Sequence, residues 1–361
     1  MRSMHPPRGD FLLATCQGGA ETALVARQQV VQPELSRAVW RRGAVTFRVP
    51  AGETPAAPHT PDGLVFARTV VHSCGQVTGT DMATLVGAVH DRTGAYAWDD
   101  VHVWPREPRV EGDPAVIRAA LVAGLDPTRR GLVPTIAAPT RLGALVLDCA
   151  IDGPDRWWVG WHVADTPSGA WPGGMYPHSL PADKVSRAWL KLDEAIATFS
   201  LALEPGKRAI ELGAAPGGAC QRLLEAGLLV TGIDPALVDD QVARHPNFTQ
   251  WRMRARDVKI RQLRGFDWVV ADMNIDPKST LDAIERVVSA PGTPPRGIIA
   301  TLKLPTWSRA AELPEWLARF AGWGYTTRAR QLSTGGREIC VVAERTAVRR
   351  RPPRATPPPG R

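Results

Sequence analysis

The sequence predicts two parts of different fold class, an α+β region followed by an α/β domain with a mostly parallel sheet. The C-terminal half alternates strand-like apolar runs with helix-length stretches, as strand–helix–strand units do. The N-terminal half instead holds short β-like runs separated by Pro and Gly, with helical patterns between some of them. With 361 residues, 44% of them hydrophobic, the chain is long enough for each part to bury its own core.

In the N-terminal half, short apolar runs predict six strands. They are FLLATC, AVTFRVP, LVFARTVV, VHVWP, ALVLDCAI and WWVGWHV. The stretches GGAETALVARQQVV and DMATLVGAVHDRT predict helices. Segment 50–61 predicts a loop and segment 168–181 a connection between domains, since both are rich in Pro and Gly. We therefore expect an α+β region over 1–170 and a linker over 171–183.

The C-terminal half continues with a regular alternation of elements. Strands are predicted at RAIELG, LLVTGID, DWVVADM, GIIATLKL and EICVVAE. Helices are predicted in KVSRAWLKLDEAIATF, GACQRLLEAG, PKSTLDAIERVVSA and RAAELPEWLARFAGWG. The second domain is expected to span 184–345, and the basic, Pro-rich residues 346–361 to be a disordered tail, because such a sequence cannot bury a core.

Composition narrows the classes of partner and compartment. A formal charge of +8 favours a polyanionic partner, because Lys and Arg that neutralise phosphates release counterions on binding. The five cysteines are scattered singly, so neither a disulfide framework nor a metal site is predicted. The sequence contains no long apolar run and no secretion signal, so we expect a soluble, cytoplasmic protein without membrane partners. It does not predict an oligomeric state.

A glycine-rich turn after the strand RAIELG predicts a nucleoside-binding site. Gly213, Gly217 and Gly218 fall between a strand and a helix, where a ligand can approach the backbone, and Asp234 ends the next strand, where it can accept the hydroxyls of a ribose. Dinucleotide binding would require the same acid. The turn also contains an acid before its first glycine and a proline, which disfavour a diphosphate cradle and favour the positively charged S-adenosylmethionine. The other expected cofactor-binding residues are Glu211, Ala214, Ala215, Pro216, Asp272 and Asp257, the last of which could bond adenine or simply cap a turn.

Two charged residues at strand ends predict a catalytic site. Asp272 ends DWVVADM and Lys303 lies in ATLKLP, and ligands of open parallel sheets bind beyond the carboxyl ends of the strands. Both runs are otherwise apolar, and a charge that terminates a buried strand costs free energy unless it is paired or used. Lys191 in SRAWLKLDEA and Glu338 in GGREICVV complete a set of four ionisable residues.

In these residues the chain resembles the FtsJ-like ribose 2′-O-methyltransferases, whose hallmark is a Lys-Asp-Lys-Glu set in this order. The resemblance covers most of 184–344 through SRAWLKLDEA, ELGAAPGGA, VVADM, TLKLP and REICVV. It implies a Rossmann-like, mostly parallel seven-stranded sheet, S-adenosylmethionine as methyl donor, and a ribose 2′-hydroxyl of RNA as acceptor. TLKLP and the long N-terminal region are more similar to members that act on large-subunit ribosomal RNA, and FLLATCQGGAETAL resembles the start of a THUMP-type RNA-binding region.

The resemblance also implies a role for each catalytic residue. Lys303 would be the base for the 2′-hydroxyl, Asp272 and Lys191 would orient the substrate and tune Lys303, and Glu338 would complete the network. A lysine acts as a base near neutral pH only where burial or a neighbouring cation lowers its pKa, and we expect Lys191 to be that cation.

Two alternative functions remain at this stage. A base methyltransferase acting on adenine would need an Asp/Asn-Pro-Pro-aromatic turn where Asp272-Met273-Asn274 stands, and a cytosine enzyme would need a reactive cysteine, whereas Cys340 lies in an apolar strand run. A non-catalytic RNA-binding protein on the same fold is the other alternative, and the intact set of four argues against it.

Tryptophans and arginines of the first part suggest where RNA could bind. Trp157, Trp158, Trp161 and Trp171 precede the linker and could stack on bases, although core packing is favoured by the strand-like alternation around them. Arg41, Arg42, Arg48, Arg68 and Arg106 form a basic background. Deletion of 1–165 is therefore expected to spare cofactor binding and to remove RNA affinity.

Overall fold

The computed structural model describes residues 6, 9–50, 63–94, 96–126, 133 and 139–345. The expected tail, 346–361, and nearly all of the expected loop at 50–61 lie outside the described residues. Within the described part of the chain, every helix is too short or too polar to cross a lipid bilayer.

The described residues of the N-terminal part form a seven-stranded sheet and three α-helices. Its strands are β1 (Phe11–Cys16), β2 (Ser36–Arg41), β3 (Ala44–Arg48), β4 (Ala67–Thr78), β5 (Asp100–Pro105), β6 (Leu145–Gly153) and β7 (Arg156–Val163). Its helices are α1 (Glu21–Val31), α2 (Met82–Thr93) and α3 (Pro114–Gly124). The strand order is β2-β3-β1-β4-β7-β6-β5, antiparallel except for the pair β5 and β6. The expected α+β class is confirmed.

Two elements of this part were not predicted, for different reasons. Strand β2 lies at the edge of the sheet with all six residues exposed, so it lacks the alternation of a half-buried strand. Helix α3 begins at Pro114 and is capped by Asp113, whose carboxylate accepts a hydrogen bond from the Ala115 N–H at 2.8 Å. Asp113 followed by Pro114 is a common start of a helix, but this signal was not used in the prediction from the sequence.

A buried polar cluster fixes the segment that leaves the N-terminal sheet. His162 on β7 bonds through Nδ1 to Asp148 Oδ2 at 2.5 Å and through Nε2 to the Gly169 carbonyl at 2.8 Å. Burial alone would lower the pKa of His162, but the Asp148 carboxylate more than compensates and the pKa is raised. Both partners of the ring are oxygen acceptors, and the two bonds tie the segment after β7 to the sheet.

The C-terminal part is a second seven-stranded sheet with helices on both faces. Its strands are β8 (Arg208–Leu212), β9 (Leu229–Ile233), β10 (Phe248–Trp251), β11 (Trp268–Ala271), β12 (Gly297–Lys303), β13 (Thr326–Arg330) and β14 (Glu338–Glu344). Its helices are α4 (Arg187–Phe199), α5 (Gly218–Glu225), α6 (Asp240–Ala243), α7 (Pro277–Val288) and α8 (Leu313–Gly322). The five strands predicted here are present, together with the short strands β10 and β13.

The strand order β10-β9-β8-β11-β12-β14-β13 places the carboxyl ends of β8, β9, β11 and β12 along one edge. Neighbouring pairs from β10 to β12 are parallel, and β14 runs antiparallel to both β12 and β13. The first residue of β14 therefore lies at the same edge as the last residue of β12. The expected Rossmann-like sheet is confirmed, and its topology gathers strand ends from distant parts of the chain.

The two parts share one buried apolar cluster, which contains residues of β1 and β3 as well as residues of β12 and α8. Polar contacts reinforce it: Gln331 donates its backbone N–H to the Val65 carbonyl at 2.8 Å, and its amide Nε2 bonds to Gln17 Oε1 at 2.7 Å. Deletion of 1–165 would expose this apolar surface of the C-terminal part. Loss of RNA binding after this deletion could therefore result from damage to the C-terminal part. Point variants of the whole chain are the better test of RNA binding.

Candidate active site

Four charged side chains meet at the carboxyl edge of the C-terminal sheet and form what we call the charged ring: Lys191, Asp272, Lys303 and Glu338. Lys303 Nζ lies 2.8 Å from Asp272 Oδ1 and 2.5 Å from Glu338 Oε2. Lys191 Nζ contacts Asp272 Oδ2 and lies 3.3 Å from Glu338 Oε1. Each ammonium thus contacts both carboxylates, and the ring carries no net charge. All four residues that the sequence analysis singled out are brought together.

The four side chains of the charged ring come from four separate elements. Asp272 directly follows β11, Lys303 is the last residue of β12, and Glu338 is the first residue of β14, paired in register with Lys303. Lys191 comes from the second turn of α4, on the same face as the buried Leu192 and Ala195. Glu338 therefore contacts both lysines, and its strand β14 lies inside the sheet, between β12 and β13.

The ring is mostly shielded from water, with side chains 11–20% exposed. Burial raises the pKa of Asp272, but the charges of Lys191 and Lys303 outweigh burial and hold that pKa below its usual value. Burial lowers the pKa of Lys303, but Asp272 and Glu338 outweigh it and raise that pKa above its usual value. We expected the neighbouring Lys191 to lower the pKa of Lys303, and this expectation is wrong. The carboxylates of Asp272 and Glu338 lie within hydrogen-bonding distance of Lys303, and their effect on its pKa is the larger one.

A cavity of about 730 Å³ adjoins the ring, and we call it the main cavity. Its lining includes Gly213 and Ala215 after β8, Asp234 after β9, and Asp272, which also belongs to the ring. The volume is in the range of small-molecule sites, roughly 300–1,000 Å³. The other lining residues carry no distinctive motif and were not predicted from the sequence: Ile233, Pro235, Met253, Arg254, Ala255, Arg256, Met273, Asn274, Ile275, Ser279, Asp282, Ala283 and Arg286.

The glycines of the turn between β8 and α5 permit close contacts within the protein. Gly213 has φ +83°, and a Cβ there would lie 2.6 Å from Met273 Cγ. A Cβ on Gly218 would lie 2.2 Å from Ser186 Oγ, at the start of α4. Of the three glycines, Gly213 lines the main cavity, whereas Gly217 and Gly218 shape the turn and its packing. The expectation that all three leave room for a ligand is therefore corrected for the last two.

Asp234 is hydrogen-bonded to the turn between β8 and α5. Its carboxylate accepts the Ala215 N–H at 3.2 Å and the Ala236 N–H at 2.8 Å. The Gly213 and Ala214 N–H groups bond to the Ile233 carbonyl, so the turn is fixed against the end of β9. Pro216 follows within the same turn, and its carbonyl accepts the Asp239 N–H at 2.8 Å. These bonds preorganise one wall of the main cavity.

Two expected cofactor-binding acids lie outside the cavity lining. Glu211 is fully buried under the turn, and burial raises its pKa to about 8. A carboxyl group in that state offers little negative charge to a cationic ligand near neutral pH. Asp257 lies in a short exposed turn with its carboxylate 3.9 Å from Arg256 Nε, while residues 254–256 before it line the cavity.

Helix α4 also fixes the loop that leads to Glu338. Glu194, three residues after Lys191 and 2% exposed, accepts the backbone N–H groups of Ser333 at 2.7 Å and Thr334 at 2.8 Å. Charge-assisted bonds of this kind are roughly twice as strong as neutral ones. One helix thus carries Lys191 and anchors the loop before Glu338, so Glu194 is a positioning residue that the sequence analysis did not single out.

If the chain has the activity that the resemblance implies, we expect Glu194→Ala to lower kcat by about tenfold or more while KM for the expected methyl donor changes little, because two loop N–H groups lose a charged acceptor. Glu194→Gln, which keeps one carbonyl acceptor, should recover part of the loss. Glu225→Gln is the matched control, since Glu225 bonds to Lys184 and Trp189 at the start of α4, away from the loop. Steady-state kinetics with an unmethylated RNA substrate checks the prediction, and wild-type kcat in Glu194→Ala would contradict it.

The tryptophans near the end of the N-terminal sheet belong to the core. Trp157, Trp161 and Trp171 are buried, and Trp158 is partly buried against the same sheet. Base stacking by this group is therefore not supported, and the core packing favoured from their alternation is confirmed.

Comparison with known proteins shows what the C-terminal part and the whole chain are similar to. Residues 184–306 match the family model described as FtsJ-like methyltransferase. The chain is 29% identical to ribosomal RNA large subunit methyltransferase M of Halorhodospira halophila, over 93% of this chain and 97% of that protein. The proteins of the same name from Laribacter hongkongensis and Xylella fastidiosa strain 9a5c are 31% and 34% identical over 49% and 50% of this chain. Each of these last two matches spans about half of the relative, 53% of its length.

Proposed function

We propose that this chain, whose residues 184–306 match the FtsJ-like methyltransferases, transfers a methyl group from S-adenosylmethionine to a ribose 2′-hydroxyl of large-subunit ribosomal RNA. The observation that carries the proposal is the position of Asp272, which lines the main cavity and bridges both lysines of the charged ring. A donor bound in that cavity would therefore adjoin the ring. The name of the relatives supports ribosomal RNA as the substrate.

The main cavity fits the proposed donor chemically. Asp234 and Asp272 lie in its lining at the ends of different strands, so the cavity offers carboxylates both for hydroxyl groups and for positive charge. S-adenosylmethionine supplies an electrophilic methyl group when bound. Gly213, which has no side chain, and Ala215, which has a small one, line the same cavity as the two carboxylates.

The charged ring would orient the ribose and take up its proton. A ribose hydroxyl is a weak nucleophile, so its oxygen must be held in line with the methyl carbon while its proton is accepted. Lys303 Nζ, held by Asp272 and Glu338, is the group placed to accept that proton once it is itself deprotonated. Lys191 balances the two carboxylates, so the ring can remain buried without excess charge.

The test is the chemical position of the transferred methyl group. We expect RNA methylated by this protein with a labelled donor to yield labelled dinucleotides that resist alkaline hydrolysis, because a 2′-O-methyl group removes the nucleophile that cleaves the chain. Label recovered only in mononucleotides would indicate base methylation. No transfer to naked or particle-bound ribosomal RNA would support the non-catalytic RNA-binding alternative.

A further inference from the structure

An exposed basic surface surrounds a tryptophan at the edge of the N-terminal sheet. Trp40, near the end of β2, is 52% exposed, and the Arg37 guanidinium lies 6.0 Å from the centre of its ring. Arg42, in the turn that follows β2, has a side chain that is 75% exposed. We call this surface, with the arginines linked to it, the hairpin patch: Arg37, Trp40, Arg41, Arg42, Arg106 and Arg156.

Among the described residues, few carboxylates neutralise the arginines of the hairpin patch. The buried carboxylate of Asp152 lies 2.5 Å from Arg106 Nε, 3.2 Å from Arg156 Nε and 3.8 Å from Arg41 Nε. Within the described residues these three guanidinium groups share the Asp152 carboxylate, and Arg106 Nη1 also lies 4.0 Å from Glu107 Oε2, so positive charge is left in excess. Arg42 pairs with Glu107 at 2.8 Å at the rim, where solvent weakens the pair.

A third acid near the hairpin patch, Glu21, is hydrogen-bonded to backbone N–H groups and does not neutralise an arginine there. Glu21 accepts the Gly19 N–H at 2.9 Å and the Gly43 N–H at 2.6 Å, which ties the turn after β1 to the turn between β2 and β3. The two turns border an open depression of about 510 Å³, which is lined by Gly19, Glu21, Trp40, Arg41 and Arg42. The result is a fixed concave surface with an aromatic face and guanidinium groups beside it.

The hairpin patch lies on the side of the molecule that carries the charged ring. At Gly19 the backbone approaches Trp307 so closely that a Cβ would lie 3.1 Å from the indole nitrogen. Trp307 follows Lys303 by four residues, a span of at most about 14 Å. The adjacent Gln17 bonds to Gln331, whose amide in turn donates to the Gly336 carbonyl, two residues before Glu338. These contacts bring the turn after β1, which borders the hairpin patch, close to the segments that carry Lys303 and Glu338.

We propose that the hairpin patch binds a single-stranded segment of the substrate RNA that flanks the target nucleotide, with a base stacked on Trp40 and phosphates on Arg41 and Arg42. The inference rests on the proposed function for the identity of the target. An exposed aromatic face among arginines is the combination that single-stranded RNA requires, since every base has a face to stack and every linkage a phosphate. A protein partner would favour a wider apolar surface than one tryptophan among cations.

The experiment measures binding of the full-length protein to a fluorescein-labelled, single-stranded RNA oligonucleotide without cofactor. We expect Trp40→Ala to weaken binding about fivefold to a hundredfold, and Trp40→Phe to retain most of the affinity, because stacking needs an aromatic face. Arg42→Ala should weaken binding and reduce the dependence of affinity on salt by about one released counterion. Val39→Ala is the matched control, since Val39 is exposed on the same strand.

The possible outcomes distinguish a failure of the RNA-binding inference from a failure of the proposed function. Equal RNA affinity in Trp40→Ala and Val39→Ala would overturn the patch while leaving the proposed function standing. Loss of RNA binding in Trp40→Ala, combined with wild-type protein that methylates no ribose, would support the patch and refute the proposed function. A change of mass in sedimentation of Trp40→Ala, without a change in RNA affinity, would identify the surface as a contact between protein chains and would also overturn the inference.

Discussion

Lys303→Ala should lower the rate of methyl transfer by about a hundredfold to ten-thousandfold, the usual contribution of a positioned acid or base. Lys303 is absent from the lining of the main cavity, so binding of S-adenosylmethionine should be retained. The variant removes the nitrogen that bonds to both Asp272 and Glu338. Transfer measured with labelled donor and RNA, beside calorimetric binding of the donor, checks both statements.

The same variant has a signature in its pH dependence. Because Asp272 and Glu338 raise the pKa of Lys303, the amine is protonated at neutral pH and its neutral fraction grows as pH rises. The single-turnover rate of the wild-type protein should therefore increase with pH, and this dependence should be absent from Lys303→Ala. Lys303→Arg is a useful control, since it keeps the charge but cannot act as a base. Turnover in Lys303→Ala equal to that of the wild type would remove Lys303 from the mechanism.

The pattern of the sequence was sufficient to predict the elements that carry the site. Apolar runs located β8, β9, β11, β12 and β14, because buried strands of a parallel sheet are apolar on both faces. The same pattern predicts Asp272 and Lys303 as site residues, since each lies at the end of such a run. Edge strands such as β2 lack this pattern because solvent covers them, so their residues carry no buried alternation.

Relations between distant residues were harder to predict. Lys191 and Glu194 both lie on an amphipathic helix, where a charged residue is usually solvated, and only the family resemblance distinguished Lys191. The sign of the Lys303 pKa shift depended on distances to two carboxylates, which the sequence does not contain. Glu211 illustrates the same limit, because a position beside the glycine turn did not reveal that its carboxyl points into the protein interior.

The Asp272→Asn variant should have the second large effect, because one carboxylate serves both the main cavity and the charged ring. Its loss leaves two ammonium groups facing a single carboxylate, Glu338, in a mostly buried site, where unpaired charge is costly. We expect kcat to fall at least about a hundredfold and the Kd for S-adenosylmethionine to rise about tenfold or more, the usual cost of losing a hydrogen bond to a charged group.

The matched control for this variant is Asp276→Asn. Asp276 lies four residues along the chain, caps α7 and pairs with the Arg309 guanidinium at 2.8 Å, outside both the ring and the cavity lining. It should alter thermal stability slightly and leave kcat and donor affinity near wild-type values. Because Asp272 is the link between the two sites, the two measured constants must change together in Asp272→Asn. A variant that loses turnover but binds the donor with unchanged affinity would show that the ring and the donor site are independent, which contradicts the shared role argued for this carboxylate.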